Sequence, residues 1–337
     1  MSVILGLETS CDETAVAVVA NQVRVMANVT YTQTIHQHYG GVVPELASRE
    51  HLSRLQPLLK EALRRAKISE TDIDGIAVTR GPGLIGCLLV GVAYAKGLSA
   101  SLAKPFIGVN HLEGHAVSNR LVDPDFGFPH VTLIVSGGHT SLVRVESWDR
   151  FTTLGQTRDD AAGEALDKIG KLVGLSYPAG AAIDKISQRG SPAAIDFPRA
   201  RLEKGSLDFS FSGVKTAAAI YLEKNPQAAE PRSLPDFLAS FQAAIVDVLT
   251  EKLLSAAAAT DAHGIALAGG VACNRLLRRK TKSAAERAGL AFSVPLPEYC
   301  TDNAAMIAAR GAIQLDAGEY SPLDMVAVPS WPVGQPI

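Results

Sequence analysis

Two stretches far apart in the chain share one layout, and that repetition constrains the fold more than any other feature. Residues 3–19, "VILGLETSCDETAVAVV", and residues 131–145, "VTLIVSGGHTSLVRV", each read as apolar strand, short polar turn, apolar strand. The likeness lies in layout more than in letters. A chain of 337 residues suits two domains at roughly 150 residues each, so a two-lobed protein with the same hairpin opening each lobe is expected. The hydrophobic share of 47% is ample for two packed interiors and sets disorder aside.

After each hairpin, strands and helices alternate. Residues 48–66 carry leucines at helical spacing, with Pro57 expected to kink that helix. A strand "GIAVT", a turn "RGPGLIG", an apolar helix and a strand "FIGVN" follow. Strand, crossover helix and strand make a parallel pair. In the second half, helices are expected over residues 159–174, 235–259 and 274–288, with the strand "GIALAGG" between the last two. A final helix is opened by Thr301 or Asp302 as N-cap, and the ending "VPSWPVGQPI" reads as a surface tail.

Residues 84–103 are long enough to cross a bilayer. Lys96, the serines and the glycines, with a turn and a short strand close on either side, favour instead a helix buried in an α/β domain. The formal net charge of -2 carries no global mark of a nucleic-acid binder, so any such surface is local. The best local footprint is "NRLLRRKTKSAAER", with Arg275, Arg278, Arg279, Lys280 and Lys282 on one helix; a solvated basic face is the alternative. The four cysteines, Cys11, Cys87, Cys273 and Cys300, form no CxxC pair, which argues against a disulfide framework and a cysteine zinc knuckle and fits a reducing cytoplasm. No basic region precedes the first apolar run, which therefore reads as a strand and not as a signal peptide.

The stretch "HLEGHA" places His111 and His115 four positions apart. On a helix they differ by about 40° in azimuth and can converge on one ion, whereas Glu113 lies about 200° from His111 and points away. In the zincin pattern HExxH the glutamate directly follows the first histidine; here leucine stands in that place. The alternative is a pair of histidines capping a polar helix. A third ligand would decide, and Asp302, His139, Cys300 and Glu113 qualify by type.

Three turns follow apolar strands: residues 8–13, Ser136 with Gly137 and Gly138, and Gly269 with Gly270. Glycines let backbone N–H groups approach a ligand, and clustered N–H groups favour anionic oxygens. In the first turn, Asp12 and Glu13 are candidate acidic catalytic residues, the alternative being turn geometry.

The runs "GLETSCDETAVAV", "YGGVVPELASREH", "GPGL", "HLEGHA", "LIVSGGHT", "DDAAGEALDKIGKLVGL", "FSFSGVKTA", "LAGGVACN" and "CTDNAAMIA" closely resemble the bacterial TsaD family, once labelled sialoglycoproteases. The resemblance runs in order from about residue 3 to 325. It implies an α/β, actin-like ATPase (ASKHA) fold of two duplicated RNase H-like lobes with the nucleotide in an interlobe cleft. The first lobe is expected over 1–110, completed by a C-terminal helix at about 302–325. The second is expected over 111–301 with helical insertions, and a tail over 326–337.

The activity implied is transfer of the threonylcarbamoyl group from threonylcarbamoyl-AMP to N6 of the adenosine 3′-adjacent to the anticodon, in tRNAs reading codons that begin with A. The resemblance selects Asp302 as the third ligand beside His111 and His115, for one divalent metal ion, Fe(II) first and Zn(II) second. It assigns the adenylate phosphate to the backbone of Ile134, Val135, Ser136, Gly137 and Gly138, and the nucleoside portion of threonylcarbamoyl-AMP or ATP to Asp167, Gly180, Asp184 and Asn274. Where many relatives have "YPGG" this chain has "YPAG", so the Ala179 methyl is expected to narrow the approach to the ligand. The implied partners are tRNA, a degenerate actin-like paralogue of TsaB type and a small P-loop ATPase of TsaE type, in the cytoplasm and with no membrane. Two rivals differ in what they require. A metalloprotease needs a glutamate base beside a helical histidine, and a non-catalytic ATP-dependent scaffold binds nucleotide without needing a metal.

Overall fold

The computed structural model of the chain describes residues 2–336 other than 201 and 204. The chain opens with β1 (Val3–Glu8), β2 (Glu13–Ala20) and β3 (Arg24–Thr32), then α1 (Pro44–Ala66), β4 (Gly75–Gly81), α2 (Ile85–Leu102), β5 (Phe106–Asn110) and α3 (His111–Val117). The second hairpin is β6 (His130–Val135) and β7 (Thr140–Ser147), followed by β8 (Arg150–Gln156), α4 (Ala162–Leu172), α5 (Gly180–Ser187) and α6 (Ser212–Lys224). Then come α7 (Leu234–Ala259), β9 (Gly264–Ala268), α8 (Arg275–Ala288), β10 (Ala291–Ser293), α9 (Pro297–Cys300) and α10 (Ala304–Asp316).

The chain divides into two compact units. The first comprises residues 1–126, 146–152 and 295–337, the second residues 127–145 and 153–294. Residues 111–126, expected in the second lobe, belong to the first unit, because α3 is packed against α10. The C-terminal segment is docked on that unit and is no loose tail. Val328 N–H donates to Arg80 O, Val333 is 6% exposed, and Asn110 Nδ2 donates to Trp331 O at 3.2 Å.

In the first unit the sheet order is β3-β2-β1-β4-β5, with β1, β4 and β5 parallel and the hairpin strands antiparallel. Successive side chains of a strand point to opposite faces. Leu5 and Leu7 of β1 join Leu55 and Leu59 of α1 and Val92 of α2 in one core. Ile4 turns to the other face, under α10, with Ala304 and Ala308. Gly6 shares that face, and a Cβ there would collide with the Ala304 carbonyl oxygen, so α10 lies directly on β1. Glu8 continues the same period and is aimed at the start of α10.

The long apolar α2 buries Cys87, Leu88, Gly91, Val92, Ala95 and Ser99, while Ile85 and Leu89 stay half exposed. Among the described residues it is the one helix long and apolar enough to cross a membrane. Its buried stripe packs against β4 and α1, as the reading of a core helix expects.

In the second unit the sheet order is β10-β9-β6-β7-β8, with β6, β9 and β10 parallel and β6 and β7 antiparallel. Each duplicated hairpin therefore belongs to its own sheet, and in each the first hairpin strand pairs antiparallel with the second and parallel with a later strand. Three helix starts differ from expectation. α1 begins at Pro44, four residues ahead of the expected 48, with that proline in its first turn. α4 begins at Ala162, because the Asp159 carboxylate is engaged by the Phe211 and Ser212 backbone amides. α10 is capped by Asn303, one residue beyond the expected pair, whose side chain accepts the Met306 N–H at 3.1 Å.

Candidate functional site

The expected metal residues meet in the first unit, at the carboxyl ends of β1, β4 and β5, where open parallel sheets place their ligands. β5 ends on Asn110, whose side-chain oxygen accepts the N–H groups of Leu112 and Glu113 and so starts α3 at once. That start puts His111 in the first turn and His115 in the second, on one face. His115 Nε2 stands 3.1 Å and His111 Nε2 3.5 Å from Asp302 Oδ1. The imidazole centroids are 4.7 Å apart at 83°.

Glu8 completes the cluster. Its Oε1 accepts the Ser10 N–H at 2.5 Å, and its Oε2 accepts the Thr79 hydroxyl at 2.6 Å and the His111 Nδ1–H at 2.9 Å. The Ser10 hydroxyl is also 3.3 Å from His111 Nδ1. With Nδ1 committed to a carboxylate, Nε2 is the nitrogen that faces Asp302.

The electrostatics follow from burial and neighbours. Burial raises the Asp302 carboxyl, but the His111 charge and hydrogen bonds from both imidazoles outweigh it and hold that carboxyl well below its ordinary range. Glu8 is likewise lowered by His111 against its own burial. His111, between these two carboxylates, is raised well above its ordinary value although burial opposes this, whereas burial lowers His115. Glu13, at the start of β2, is pushed well above the usual carboxylate range by burial, then by the Asp302 and Asp12 charges, and is hydrogen-bonded to Asp12. Asp12 and Glu13 are thus hydrogen-bonded to one another, within electrostatic reach of Asp302.

These residues fit a divalent cation. Donor atoms that share one ion at about 2.1 Å stand about 3.0–3.4 Å apart in tetrahedral or octahedral geometry; of the two imidazole-to-carboxylate distances, 3.1 Å falls inside that range and 3.5 Å just beyond it. The three donor atoms all lie within 4.8 Å of one another. His111 has the supporting carboxylate that metal-binding histidines use. The buried Nδ1 of His115 has no hydrogen-bond partner among the described residues. Glu113 is no part of the cluster, because its carboxylate is held by Arg310 Nε at 2.9 Å and Gly334 N at 3.1 Å.

The turn expected to hold the phosphate, residues 134–138, lies in the second unit. Ile134 and Val135 are buried β6 residues paired into the ladder, and Ser136 N–H is spent on His139 O at 2.8 Å. Only Gly137 and Gly138 present exposed amides that make no hydrogen bond among the described residues. Of the five expected residues, these two carry the amides that remain free to meet a ligand.

The expected nucleoside contacts are linked in one chain of helix starts. Asp167 accepts the Ala179 N–H at 2.7 Å, immediately ahead of Gly180. Asp184 is 8% exposed, is raised by burial, and accepts the Arg275 N–H at 3.2 Å. Asn274 caps α8 through Leu277 N–H and donates to Gln242. Each thus has a capping task of its own. The Ala179 methyl does not narrow the approach to Gly180: it is 1% exposed and faces Gly170, where a Cβ would overlap it. In the basic helix, Arg278 Nε donates to Ala272 O and Lys280 pairs with Asp247, while Arg279 and Lys282 are exposed.

The sequence reading missed Glu8, Thr79 and a buried run through His51. The available signal for Glu8 was a carboxylate ending an otherwise apolar strand. His51 accepts at Nδ1 from the Thr14 hydroxyl (2.8 Å) and from Gln33 Nε2 (3.4 Å), and its Nε2 donates to Cys11 O at 2.9 Å. It therefore ties α1 to the acidic turn.

A family model described as TsaD, tRNA N6-adenosine threonylcarbamoyltransferase, matches residues 24–309. The chain is 50% identical over 331 residues to a protein of that name from Geotalea uraniireducens (strain Rf4), covering 98% of this chain and 96% of that one. It is 51% identical over 327 residues to one of the same name from Desulfitobacterium hafniense (strain Y51), covering 97% and 96%. Among solved structures, the Acidaminococcus fermentans (R)-2-hydroxyglutaryl-CoA dehydratase component A matches with TM-score 0.56 at 14% identity, covering 94% of this chain and 100% of that one. HypF from T. kodakarensis matches with TM-score 0.63 at 14% identity, covering 94% and 48%. At that identity these two likenesses speak for the fold alone, which is the actin-like ATPase fold.

Proposed function

Because this chain belongs to the TsaD family of tRNA N6-adenosine threonylcarbamoyltransferases, we propose that it transfers the threonylcarbamoyl group from threonylcarbamoyl-AMP to N6 of the adenosine 3′-adjacent to the anticodon. The observation that carries the reading at the level of the site is the convergence of His111 and His115 on Asp302, with Glu113 turned away. A protease reading needs that glutamate beside the metal, and it is locked into an ion pair instead.

His111 Nε2, His115 Nε2 and an Asp302 oxygen would hold the ion, Fe(II) or Zn(II) by ligand type. The chemistry it would supply there is polarisation of the carbamoyl carbonyl. Glu8 fixes the His111 ring, so that its Nε2 is presented in one orientation. In the transfer, the N6–carbamoyl carbon bond forms as the bond from that carbon to the adenylate phosphate oxygen breaks, and the amine loses a proton. Asp12 and Glu13, hydrogen-bonded to one another, are the carboxyl pair that takes up that proton. The exposed amides of Gly137 and Gly138 receive the adenylate phosphate and stabilise charge on the departing AMP. Arg279 and Lys282 serve tRNA phosphates. The partners proposed are tRNA, a TsaB-type paralogue and a TsaE-type ATPase, in the cytoplasm.

The test is reconstitution of the purified chain with tRNA, threonine, bicarbonate, ATP, an adenylate-forming enzyme and both partner proteins, with nucleosides read by mass spectrometry. Threonylcarbamoyladenosine is the expected product. None formed, with each partner shown to be active, would remove the proposal.

A further inference from the structure

The glutamate between the two histidines takes no part in the chemistry above, yet it is 7% exposed and fully engaged. Its Oε2 accepts from Arg310 Nε at 2.9 Å and its Oε1 from Gly334 N at 3.1 Å. Arg310 is 6% exposed and lies on α10, the helix that begins just after Asp302. Its guanidinium also stands over the Phe151 ring at 5.4 Å. The ion pair therefore joins the element carrying two donors to the element that follows the third.

Other contacts close the same joint. Gly114 lets α3 approach α10, since a Cβ there would stand 2.9 Å from Ile307 Cδ1 and 3.4 Å from Met306 Cγ. Asn110, the cap of α3, donates to Trp331 O and Pro332 O at 3.2 and 3.4 Å. The Trp331 ring packs under the Arg80 guanidinium at 5.5 Å, and Arg80 Nε holds Val326 O at 2.9 Å.

α3 has seven residues, too few to hold its own orientation without tertiary support. An imidazole nitrogen stands well off the helix axis, so a rotation of about 10° carries it about 1 Å, against a metal–ligand tolerance of about 0.2 Å. What fixes that rotation is the anchor on the face opposite the histidines. We propose that the Glu113–Arg310 ion pair, covered by the C-terminal segment at Gly334, is the clamp that sets the spacing of His111 and His115 against Asp302. Glu113 and Arg310 are then positioning residues. This rests on the reading of His111, His115 and Asp302 as metal ligands.

The test titrates Co(II) into the full-length chain, reading the dissociation constant and the visible absorption of the bound ion, with thermal unfolding before metal addition in parallel. Glu113→Gln leaves Arg310 buried without its partner charge and is expected to fold poorly. The double variant Glu113→Gln/Arg310→Met removes both charges at similar volume and is expected to unfold near the wild-type temperature. It should bind Co(II) about tenfold more weakly, with a changed absorption spectrum. The folded fraction of either variant binding Co(II) with the wild-type constant and spectrum would overturn the clamp, even if the unfolding temperature fell, because a merely structural role moves only the latter. His111→Ala is the control: Co(II) bound by it as tightly as by wild type overturns the metal reading itself, and with it the clamp.

Discussion

Glu8 Oε2 lies 2.9 Å from His111 Nδ1, and this single contact decides which imidazole nitrogen faces Asp302. The two residues are 103 positions apart, and each stands at the carboxyl end of its own parallel strand.

Replacing Glu8 by Ala frees the His111 ring to rotate and leaves the Thr79 hydroxyl without its acceptor. Metal affinity should fall about 10- to 100-fold, as it does when such a supporting carboxylate is removed elsewhere. Glu8→Gln retains an acceptor oxygen and should lose less. Zn(II) titration calorimetry on the two variants checks the order, and equal affinities in Glu8→Ala and wild type would exclude the orienting role.

His51 is fixed in one tautomer by its neighbours. His36 Nδ1 accepts the Val43 N–H, so His36 Nε2 donates to Gln33 Oε1; Gln33 Nε2 then donates to Ala47 O and His51 Nδ1, leaving the proton of His51 on Nε2, toward Cys11 O. Burial lowers its pKa. Nitrogen-15 NMR should find the proton of the neutral His51 ring on Nε2. His51→Phe should cost about 1–3 kcal/mol in urea unfolding through the unsatisfied groups it leaves; a loss within error of zero would contradict the network.

Much of this could be read from the sequence, and what could not has a common physical cause. Local patterns carried the duplicated hairpins, the parallel strand pair and the convergence of His111 with His115, because period and spacing act over a few residues. The missed features depend on distant chain segments. Glu113 meets Arg310 across 197 positions, and the C-terminal segment docks through Asn110 and Glu113. Likewise "YPAG" fixes the place of Ala179 but not its direction, which is set by the absence of a side chain at Gly170.

Ala179→Gly removes a methyl that is packed between α4 and α5, against Gly170. The variant should lose about 1 kcal/mol of stability, from the greater freedom of the unfolded chain and the lost packing, and gain no affinity for adenine nucleotide. Tighter binding of AMP by the variant in equilibrium titration would show that the methyl does face the ligand.

His130 supplies a pH dependence away from the metal cluster. Burial pushes its pKa from 6.5 to about 4, against the Gly127 carbonyl, which favours the protonated ring. Since the folded value lies below the unfolded one, the unfolded chain takes up a proton first as the pH falls. The full stability is present above about 6.5 and is progressively lost toward 4, by on the order of 3 kcal/mol. Urea unfolding of wild type and His130→Gln should therefore converge, or cross, as the pH falls from 7.5 to 4.5, wild type losing more. Parallel curves would rule out a depressed His130.

The central claim is that His111, His115 and Asp302 hold the ion used in threonylcarbamoyl transfer, and a single-turnover assay tests it most directly. Threonylcarbamoyl-AMP and unmodified tRNA are mixed with wild type or His111→Ala, each in complex with its partner proteins, and the modified adenosine is followed in time. The account predicts product with wild type and a rate at least about 100-fold lower with a folded His111→Ala, given the scale on which supporting and ligating groups act at metal sites. Transfer by the variant at the wild-type rate would contradict it.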